Sequence, residues 1–201
     1  MGGVVADITV SLDGFVAGRN DSPELPLGEG GEQLHEWVFG LKSWREPHGL
    51  EGGETGPDAD LVEAAFERTG AIIVGRRMFD NAGGWGDNPP FHMPVFVLTH
   101  EQHEPEAKEG GTTFTFVNDA ERALEQATNA AGDKDVGIGG GAQTIQQYLR
   151  AGLLDELLVH VAPLLLGGGV RLFDDVGGDV KLEQTEVISS PAVTHLRFRV
   201  T

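Results

Sequence analysis

The sequence predicts an α/β fold in which a mixed, mostly parallel sheet is flanked by helices and ends in an antiparallel hairpin. Short β-rich runs alternate with segments of helical periodicity over residues 4–161, and this alternation is typical of parallel strands joined by crossover helices. The last two β-rich runs, 180–188 and 193–200, alternate in polarity around a turn at Ser190, which indicates an antiparallel pair. Neither a repeat nor a linker divides the sequence, so a single domain over residues 1–201 is expected.

The composition excludes several classes of function. The chain has 201 residues, 39% of them hydrophobic, and a net charge of −18, so no basic surface is expected to bind nucleic acid. No apolar run approaches the ~20 residues that span a membrane, and no basic region precedes an apolar segment as in a signal peptide. There are no cysteines, which excludes disulfides and thiolate metal sites. We therefore expect a cytoplasmic protein without nucleic-acid or membrane partners.

The first half of the chain begins with a predicted strand at 4–10, followed by a loop at 22–33 that is rich in Gly, Pro and Glu. Apolar residues at helical spacing predict a helix over 33–44. The polar, Gly-rich stretch 46–59 is expected to be an exposed insertion.

The middle of the chain continues the alternation. Asp60 is expected to cap a helix that Gly70 ends, and the continuous apolar run 71–74 predicts a strand buried on both faces. The segment 81–94 is predicted to be a loop. The remaining predicted elements before residue 162 are strands at 94–98, 113–117 and 157–161 and a helix that begins at Asn118 or Asp119 and ends at Gly132.

The most distinctive stretch is 135–144, in which an apolar strand runs into three glycines and then into a helix. Glycines let the backbone approach a ligand closely, and the first turn of a helix offers unpaired N–H groups with partial positive charge. A phosphate is the natural ligand of such a turn, and a tight turn that binds nothing is the alternative. The spacing of Gly137, Gly139 and Ala142 also matches a Rossmann fingerprint, but no acidic residue ends the following strand as that motif requires.

Two further strand ends carry groups that bind phosphate. Arg76 and Arg77 follow one buried strand, and Thr99 and His100 follow the next. Ligands of open α/β sheets bind at the carboxyl ends of strands, and the guanidinium fork matches phosphate oxygens. With Gly139–Gly141, these residues indicate a dinucleotide that carries a 2′-phosphate. The alternative for the arginines is a solvated helix start that pairs with nearby acids.

The histidines give little support for a metal site. The spacing of His100 and His103 could chelate a metal, but both lie in a polar loop rich in Glu, and a solvated loop is the preferred interpretation. His160 lies in a predicted strand and is interpreted as a hydrogen-bonded structural histidine. No metal is expected.

Four motifs occur in one order along the chain, at 11–18, 74–79, 138–142 and 162–173. Together they resemble the dihydrofolate reductase-like superfamily, and more closely its branch around the C-terminal reductase domain of the bifunctional riboflavin-biosynthesis deaminase/reductase. The resemblance implies an eight-stranded, mostly parallel sheet with an antiparallel C-terminal strand, NADPH as hydride donor, and a homodimer.

The resemblance also implies roles for the residues of these motifs. The glycine turn would hold the pyrophosphate, the turn at 75–77 the adenosine phosphates, and the strand end at 99–100 the 2′-phosphate. Met78 stands where the family usually has Thr, so one hydroxyl contact with phosphate is missing. The cofactor residues implied are Gly75, Arg76, Arg77, Thr99, His100, Gly139, Gly140, Gly141, Ala142, Gln143 and Thr144.

On the substrate side, the loop at 12–18 resembles the mobile loop that covers the nicotinamide. Asp13 is the candidate catalytic acid, with the turn before Gly14 as its alternative role. Trp37 on its own fits a core position, and aromatic residues in the Gly/Pro loop fit a pocket wall. The candidate substrate-binding residues are Phe15, Trp37, Trp85 and Phe91.

One departure from the family affects the substrate. Dihydrofolate reductases carry an acidic residue three positions before an aromatic residue of the first helix, whereas Leu34 stands three positions before Trp37. The substrate is therefore expected to be a small heterocyclic or carbonyl compound other than folate. A nucleotide-binding protein without turnover, and a flavin in place of the nicotinamide, remain alternatives.

Overall fold

The computed structural model describes residues 2–178 and 180–201. Its α-helices are α1 Glu36–Phe39, α2 Lys42–Arg45, α3 Pro57–Arg68, α4 Arg76–Asn81, α5 Ala120–Ala131 and α6 Ala142–Arg150. Its strands are β1 Val4–Ser11, β2 Phe15–Ala17, β3 Thr69–Gly75, β4 Pro94–Leu98, β5 Glu106–Ala107, β6 Thr113–Val117, β7 Asp135–Gly140, β8 Glu156–Ala162, β9 Val170–Arg171, β10 Leu182–Ser189 and β11 Thr194–Val200. Short 3₁₀ turns lie at Gly31–His35, Glu46–His48, Gly83–Trp85 and Glu109–Gly111.

Within the described residues, nine strands form one sheet in the order β10-β11-β8-β1-β7-β3-β4-β6-β5. The six strands from β8 to β6 pair in parallel, whereas β10, β11 and β5 pair antiparallel with their neighbours. This confirms the predicted α/β class with its mostly parallel sheet and C-terminal hairpin. The short strand β5, which the sequence analysis missed, adds a ninth strand to the eight that the resemblance implied.

Helices cover the central strands of the sheet on both faces. On one face, Ile73 and Ile138 join a core with Ala127 of α5 and Ile145 of α6. On the other face, Val74 belongs to a separate apolar cluster. The apolar run of β3 is therefore buried on both sides, as its continuous hydrophobicity predicted.

The helix predicted over 33–44 is wrong, because the chain forms a 3₁₀ turn and then two four-residue helices there. Leu41, between α1 and α2, has extended backbone angles. The carbonyl of Gly40 accepts a hydrogen bond from the N–H of Glu54 at 2.9 Å, and the Glu54 carbonyl accepts one from Lys42 at 2.8 Å. Part of the presumed insertion at 46–59 therefore pairs with the backbone that would have continued the helix.

Helix α3 begins at Pro57 and not after Asp60, because proline is well suited to the first helical position. The helix ends at Arg68, where Thr69 already starts β3. Asp119, one of the two predicted caps of α5, is the one observed: its Oδ1 accepts a hydrogen bond from the N–H of Arg122 at 2.8 Å. No helix of the described residues is long and apolar enough to cross a membrane.

Replacing Asp119 with Ala should lower the free energy of unfolding by about 1 kcal/mol, because the N–H of Arg122 loses its acceptor at the helix start. Asp119→Asn is the matched control, since Asn caps helices about as well as Asp. Urea denaturation of both variants measures the difference. An equal loss in the two variants would contradict the capping role.

Candidate cofactor and substrate site

The carboxyl ends of β7, β3 and β4 bring the predicted phosphate-binding residues to one edge of the sheet. These three strands are neighbours and run parallel. Gly140 ends β7, Arg76 begins α4 directly after β3, and Thr99 follows β4. The sequence predicted that these residues follow neighbouring strands, and the structure places them there.

The glycine turn leaves the start of α6 open. Gly141 precedes the helix without a side-chain cap, and a Cβ atom added to it would meet nothing within 4 Å. Gly140 has a φ of 115°, which only glycine adopts easily. Ala142 and Thr144 are buried and Gln143 is exposed. The first N–H groups of α6 thus lie beside free space, the arrangement that suits an anion.

Gly75 lies in direct contact with the first turn of α6. A Cβ atom at this position would stand 2.5 Å from Thr144 Oγ1, with the next nearest atom at 3.8 Å. The φ of Gly75 is −81°, a value that residues other than glycine also adopt. Glycine is required here because Thr144 Oγ1 lies too close to leave room for a side chain. The turn after β3 and the turn after β7 consequently form one continuous surface.

Arg76 lies between the phosphate-binding groups and nearby acids. Its Nε donates to Asp80 Oδ1 at 2.6 Å, and its Nη1 lies 3.5 Å from Thr99 Oγ1 and 2.8 Å from Glu101 Oε2. The bond with Asp80 foremost, and Glu101 in addition, raise the pKa of Arg76. His103, considered above as a metal ligand, accepts a hydrogen bond from Nη1 at 2.6 Å. Arg76 therefore adjoins Thr99 and is also paired with acids, as the alternative interpretation expected. Its role toward a phosphate stays a prediction.

Arg77 points to another part of the chain. It forms two hydrogen bonds with the Asp21 carboxylate, from Nε to Oδ2 at 2.8 Å and from Nη2 to Oδ1 at 2.5 Å. Asn81 donates to the same carboxylate at 2.9 Å. Helix α4 is thereby fastened to the loop after β2, and Arg77 matches the alternative interpretation of a paired arginine.

Asp13 has its oxygens occupied by donors. The Ser11 hydroxyl donates to Oδ1 at 2.6 Å, and the N–H groups of Leu166 and Gly167 donate to the carboxylate at 3.1 and 2.7 Å. The bond from Ser11 foremost, with the backbone bonds, lowers the pKa of Asp13. These bonds support the turn-forming role, because an ionised acceptor has no proton to give. The catalytic role of Asp13 stays a prediction.

The four candidate aromatic residues do not share one wall. Trp85 and Phe91 lie against each other, with ring centroids 4.7 Å apart, and both pack near Phe114 of β6. Phe15 is buried beneath the guanidinium of Arg171 at 4.7 Å. Trp85 and Phe91 therefore lie at β6, at the other side of the sheet from β8 and β11, on which Trp37 packs.

Trp37 covers β1, β8 and β11. Its ring lies 4.9 Å from that of His160 and 5.1 Å from that of His195. Its Nε1 donates to Thr9 Oγ1 at 3.4 Å. Trp37 therefore lies over a polar part of the sheet, in addition to its contacts with the apolar cluster of Leu41.

The sequence analysis missed a chain of four polar residues beneath Trp37. His160 Nε2 lies 2.7 Å from Asp7 Oδ1, the Nδ1 atoms of His160 and His195 lie 2.6 Å apart, and His195 Nε2 lies 3.2 Å from Asp58 Oδ1. Burial foremost, and the neighbouring His160, lower the pKa of His195. His160 is hydrogen-bonded, as expected, but its partner His195 could be found only from the register between β8 and β11.

Gly137 and Gly139 of β7 carry no side chains, and we call the strip of backbone over these two residues the trough. Gly137 pairs with Val5, and both are partly exposed, as is Gly139. A Cβ atom at Gly139 would lie 3.2 Å from Ile72 Cγ2, so the side chains of β3 form one wall. The register of β1 on β7 runs as far as Ala6 beside Ile138, so Asp7 is the next residue of β1 beyond this pair, on the side of β7 opposite β3.

His35 is a further titratable group near this face. Its Nδ1 is buried and has no hydrogen-bond partner among the described residues, and its ring stacks 6.2 Å from that of Phe39. Burial foremost, and the nearby His160, lower the pKa of His35 to about 4. Among the described residues, no group of His, Asp and Glu is arranged to hold a metal ion.

The sheet order and the glycine turn define a dihydrofolate reductase-like fold. The chain aligns over 99% of its length with 96% of dihydrofolate reductase from Enterococcus faecalis, with a TM-score of 0.59 and 15% identity. A Shewanella sp. PV-4 structure named "Putative riboflavin biosynthesis protein" matches over 99% of both chains, with a TM-score of 0.70 and 22% identity. At these identities the similarity shows the fold alone.

The chain belongs to the RibD C-terminal domain family, whose model matches residues 3–196. Among curated proteins, it is 25% identical over 201 residues to the uncharacterized protein YyaP of Bacillus subtilis (strain 168), a match that spans 94% of this chain and 91% of that protein. The family and the fold confirm the resemblance drawn from the sequence motifs, and they support a function of the reductase type.

Replacing Gly75 with Ala should lower the free energy of unfolding by about 1–3 kcal/mol, because the new Cβ meets Thr144 Oγ1. The double variant Gly75→Ala with Thr144→Ala should recover most of this loss, since the hydroxyl oxygen is removed. Thr144→Ala alone completes a double-mutant cycle by thermal denaturation. If the losses of stability in the two single variants simply add in the double variant, the contact between the new Cβ atom and Thr144 Oγ1 is not the cause of the destabilisation.

Stability should fall in acid because of His35. Its pKa in the folded protein lies below the 6.5 of an ordinary histidine, so the unfolded state binds the proton more readily and stability is lost as the pH falls below 6.5. From about pH 7.5 to 5 this loss is about 2 kcal/mol, at ~1.4 kcal/mol per pH unit. His35→Gln should remove this part of the acid sensitivity in urea denaturation. His100→Gln, at an exposed position, is the control and should behave as the wild type.

Proposed function

We propose that the protein is an NADPH-dependent reductase that transfers a hydride to a small heterocyclic or carbonyl substrate. One observation carries the proposal: the open start of α6, the turn at Gly75 and the Arg76–Thr99 pair lie at three adjacent strand ends. Each offers donors to phosphate. The spacing along this edge suits a ligand with several phosphate groups.

Three groups of residues fit the parts of such a cofactor. The N–H groups after Gly141 would bind the pyrophosphate, and Gly75 leaves room for its close approach. Arg76, Thr99 and His100 would bind the 2′-phosphate. Beside them lies a recess of about 620 Å³ lined by residues 100–104 and 115–118. Bound there, NADPH would supply the hydride, while the protein binds, orients and excludes water.

A solved relative supports the choice of cofactor. The structure of dihydrofolate reductase from Enterococcus faecalis is a complex with NADP(H), and its fold matches this chain throughout. The family match adds a reductase-like domain. NADPH is therefore the cofactor that we propose for this chain.

The substrate side differs from a folate site. Leu34, at the position where dihydrofolate reductases carry an acid, is fully buried. The trough over Gly137 and Gly139 and the ring of Trp37 offer a surface for a small planar substrate. Trp85 and Phe91 pack around Phe114 instead, so Trp37 is the aromatic residue that we place against the substrate.

A second candidate is a nucleotide-binding protein without turnover. The pairing of Arg76 with Asp80 and Glu101 favours it, because these acids compete with a 2′-phosphate. Oxidation of NADPH across a panel of pterins, flavins, quinones and aldehydes separates the two candidates. Binding without oxidation would select the second.

Two further features belong to the proposal. The homodimer stays a prediction, supported by the outer strand β10, which exposes Leu182 and Val187. The cytoplasmic location also stays a prediction.

Replacing Arg76 with Ala should weaken NADPH binding about 10- to 100-fold, because a charge-assisted hydrogen bond to the 2′-phosphate contributes ~1.5–3 kcal/mol. NADH lacks this phosphate, so its affinity for the Arg76→Ala variant should fall about twofold or less. Calorimetric titration with each nucleotide measures the preference.

Arg77→Ala is the matched control on the neighbouring residue. Since Arg77 lies toward Asp21, its loss should weaken both nucleotides by the same factor. If Arg76→Ala also weakens both alike, the 2′-phosphate assignment is wrong. If the wild type binds neither nucleotide, the cofactor proposal is wrong.

A further inference from the structure

The chain Asp7–His160–His195–Asp58 contains two buried imidazoles between two carboxylates. The Nδ1 atoms of the two rings lie 2.6 Å apart, which is hydrogen-bond distance. One of these atoms must donate and the other accept, so a single proton lies between them. Each Nε2 faces a carboxylate oxygen, at 2.7 Å for Asp7 and 3.2 Å for Asp58, and an ionised carboxylate only accepts.

Three hydrogen bonds between these four groups require three protons, one for each contact. Two neutral imidazoles with two ionised carboxylates hold only two. Full satisfaction of the three contacts therefore requires one additional proton, formally as one imidazolium between Asp7 and Asp58.

The two ends of the chain differ in exposure. The side chains of His160 and His195 are 5% and 1% exposed, whereas Asp7 is 40% exposed. Asp58 is 16% exposed and lies in the first turn of α3. Trp37 covers both imidazoles. The stored proton is thus shielded from water along the chain and reaches a partly open surface at Asp7.

Asp7 opens onto the trough over β7. The register places Val5 beside Gly137, and Asp7 lies one residue beyond the last pair, Ala6 with Ile138. Glycines on β7 leave no side chain between Asp7 and the wall formed by Ile72. A substrate lying in the trough would contact the Asp7 carboxyl group directly.

A purely structural role does not explain this arrangement. Buried charges are costly, and a well-packed apolar cluster would stabilise the sheet at least as well. The substrate trough lies beside one end of the chain, and Asp13 is saturated by donors. The reductase reaction needs a proton as well as a hydride. The chain of Asp7, His160, His195 and Asp58 is the group beside the trough that can supply this proton.

We propose that Asp7, His160, His195 and Asp58 form a proton relay that protonates the substrate during its reduction. The inference rests on the reductase function proposed above. Asp7 is the catalytic acid, and the other three residues supply and hold its proton.

For a substrate with a C=N or C=O bond, the reduction needs one hydride and one proton. The carbon takes the hydride and its two electrons from NADPH, which becomes NADP⁺, and the nitrogen or oxygen takes a proton from Asp7. The proton on His160 Nε2 moves to Asp7, and the shared proton moves onto His160 Nδ1. Both rings are then neutral, and water restores the third proton through the exposed ends of the chain.

Other charged groups face this chain and take part in its titration. Glu156 and Arg197 lie on the same face of β8 and β11, where Arg197 Nη1 donates to Glu156 Oε2 at 3.0 Å. His35 approaches from the 3₁₀ turn before α1 and interacts with His160. These groups are the same in the wild type and in the variants below, so their contribution to the titration cancels when the proteins are compared.

The first experiment measures the stored proton without any substrate. Nitrogen NMR of histidine-labelled protein near pH 7 should show protonated Nε2 atoms on both rings and one proton shared between the Nδ1 atoms. Asp58→Asn removes one stabilising carboxylate and should release that proton at a lower pH. Asp60→Asn, at the exposed acid of the same helical turn, is the matched control and should leave the spectrum unchanged. Two neutral rings in the wild type would overturn the proposal.

The second experiment measures turnover of NADPH with the substrates that the panel identifies. Asp7→Asn should lower kcat about 10²- to 10⁴-fold, the usual contribution of a general acid, while the Kd for NADPH changes by less than about twofold, as for a residue remote from the nucleotide. Asp7→Glu, which keeps an acid, should recover part of the rate. Asp58→Asn should shift the pH profile of kcat to lower pH, and Asp60→Asn should not.

The outcomes separate the two proposals. A wild type that binds no NADPH, or oxidises it with none of the panel, refutes the reductase function and the relay with it. A wild type that turns over while Asp7→Asn keeps its rate leaves the reductase function intact and refutes the relay. Circular dichroism of each variant shows whether a lost rate reflects lost folding.

Discussion

The contact between Gly75 and Thr144 fixes the geometry of the whole phosphate-binding edge. It joins the end of β3 to the start of α6, with no space for a side chain between them. The glycine turn after β7 and the arginine turn after β3 therefore keep a constant separation. Because β3 is buried on both faces, neither turn can shift without disturbing the core, so the two turns form a rigid unit, the cradle.

Charge is distributed unevenly between the two halves of this site. The chain carries a net charge of −18, and its arginines at the strand ends are paired with Asp80, Glu101 and Asp21. These arginines are therefore already paired with acids at the edge where we propose that phosphates bind. The trough over Gly137 and Gly139 carries no side chains and lies beside the partly exposed carboxylate of Asp7.

The local features of the sequence predicted the fold and the strand ends at which the candidate phosphate-binding residues lie, because a strand, a glycine turn and the start of a helix can be recognised within about ten residues. The helix over 33–44 failed for the opposite reason: the partner that interrupts it, Glu54, lies outside the window in which periodicity is judged. The pair of His160 and His195 was equally invisible. Each histidine occupies an unremarkable strand position, and only the antiparallel register of β11 on β8 brings them together. The packing of Trp85 and Phe91 against Phe114 could not be predicted either, because Phe114 lies on β6, a strand distant in sequence.

The bond between Arg77 and Asp21 has a consequence for the order in which parts of the molecule move. Asp21 lies in the loop after β2, and Arg77 lies on the helix that begins with Arg76. A ligand that displaces α4 as it binds Arg76 also strains the bonds between Arg77 and Asp21. Occupancy of the cradle and freedom of that loop are then thermodynamically linked, and by reciprocity any change that loosens the loop also alters the affinity of the cradle.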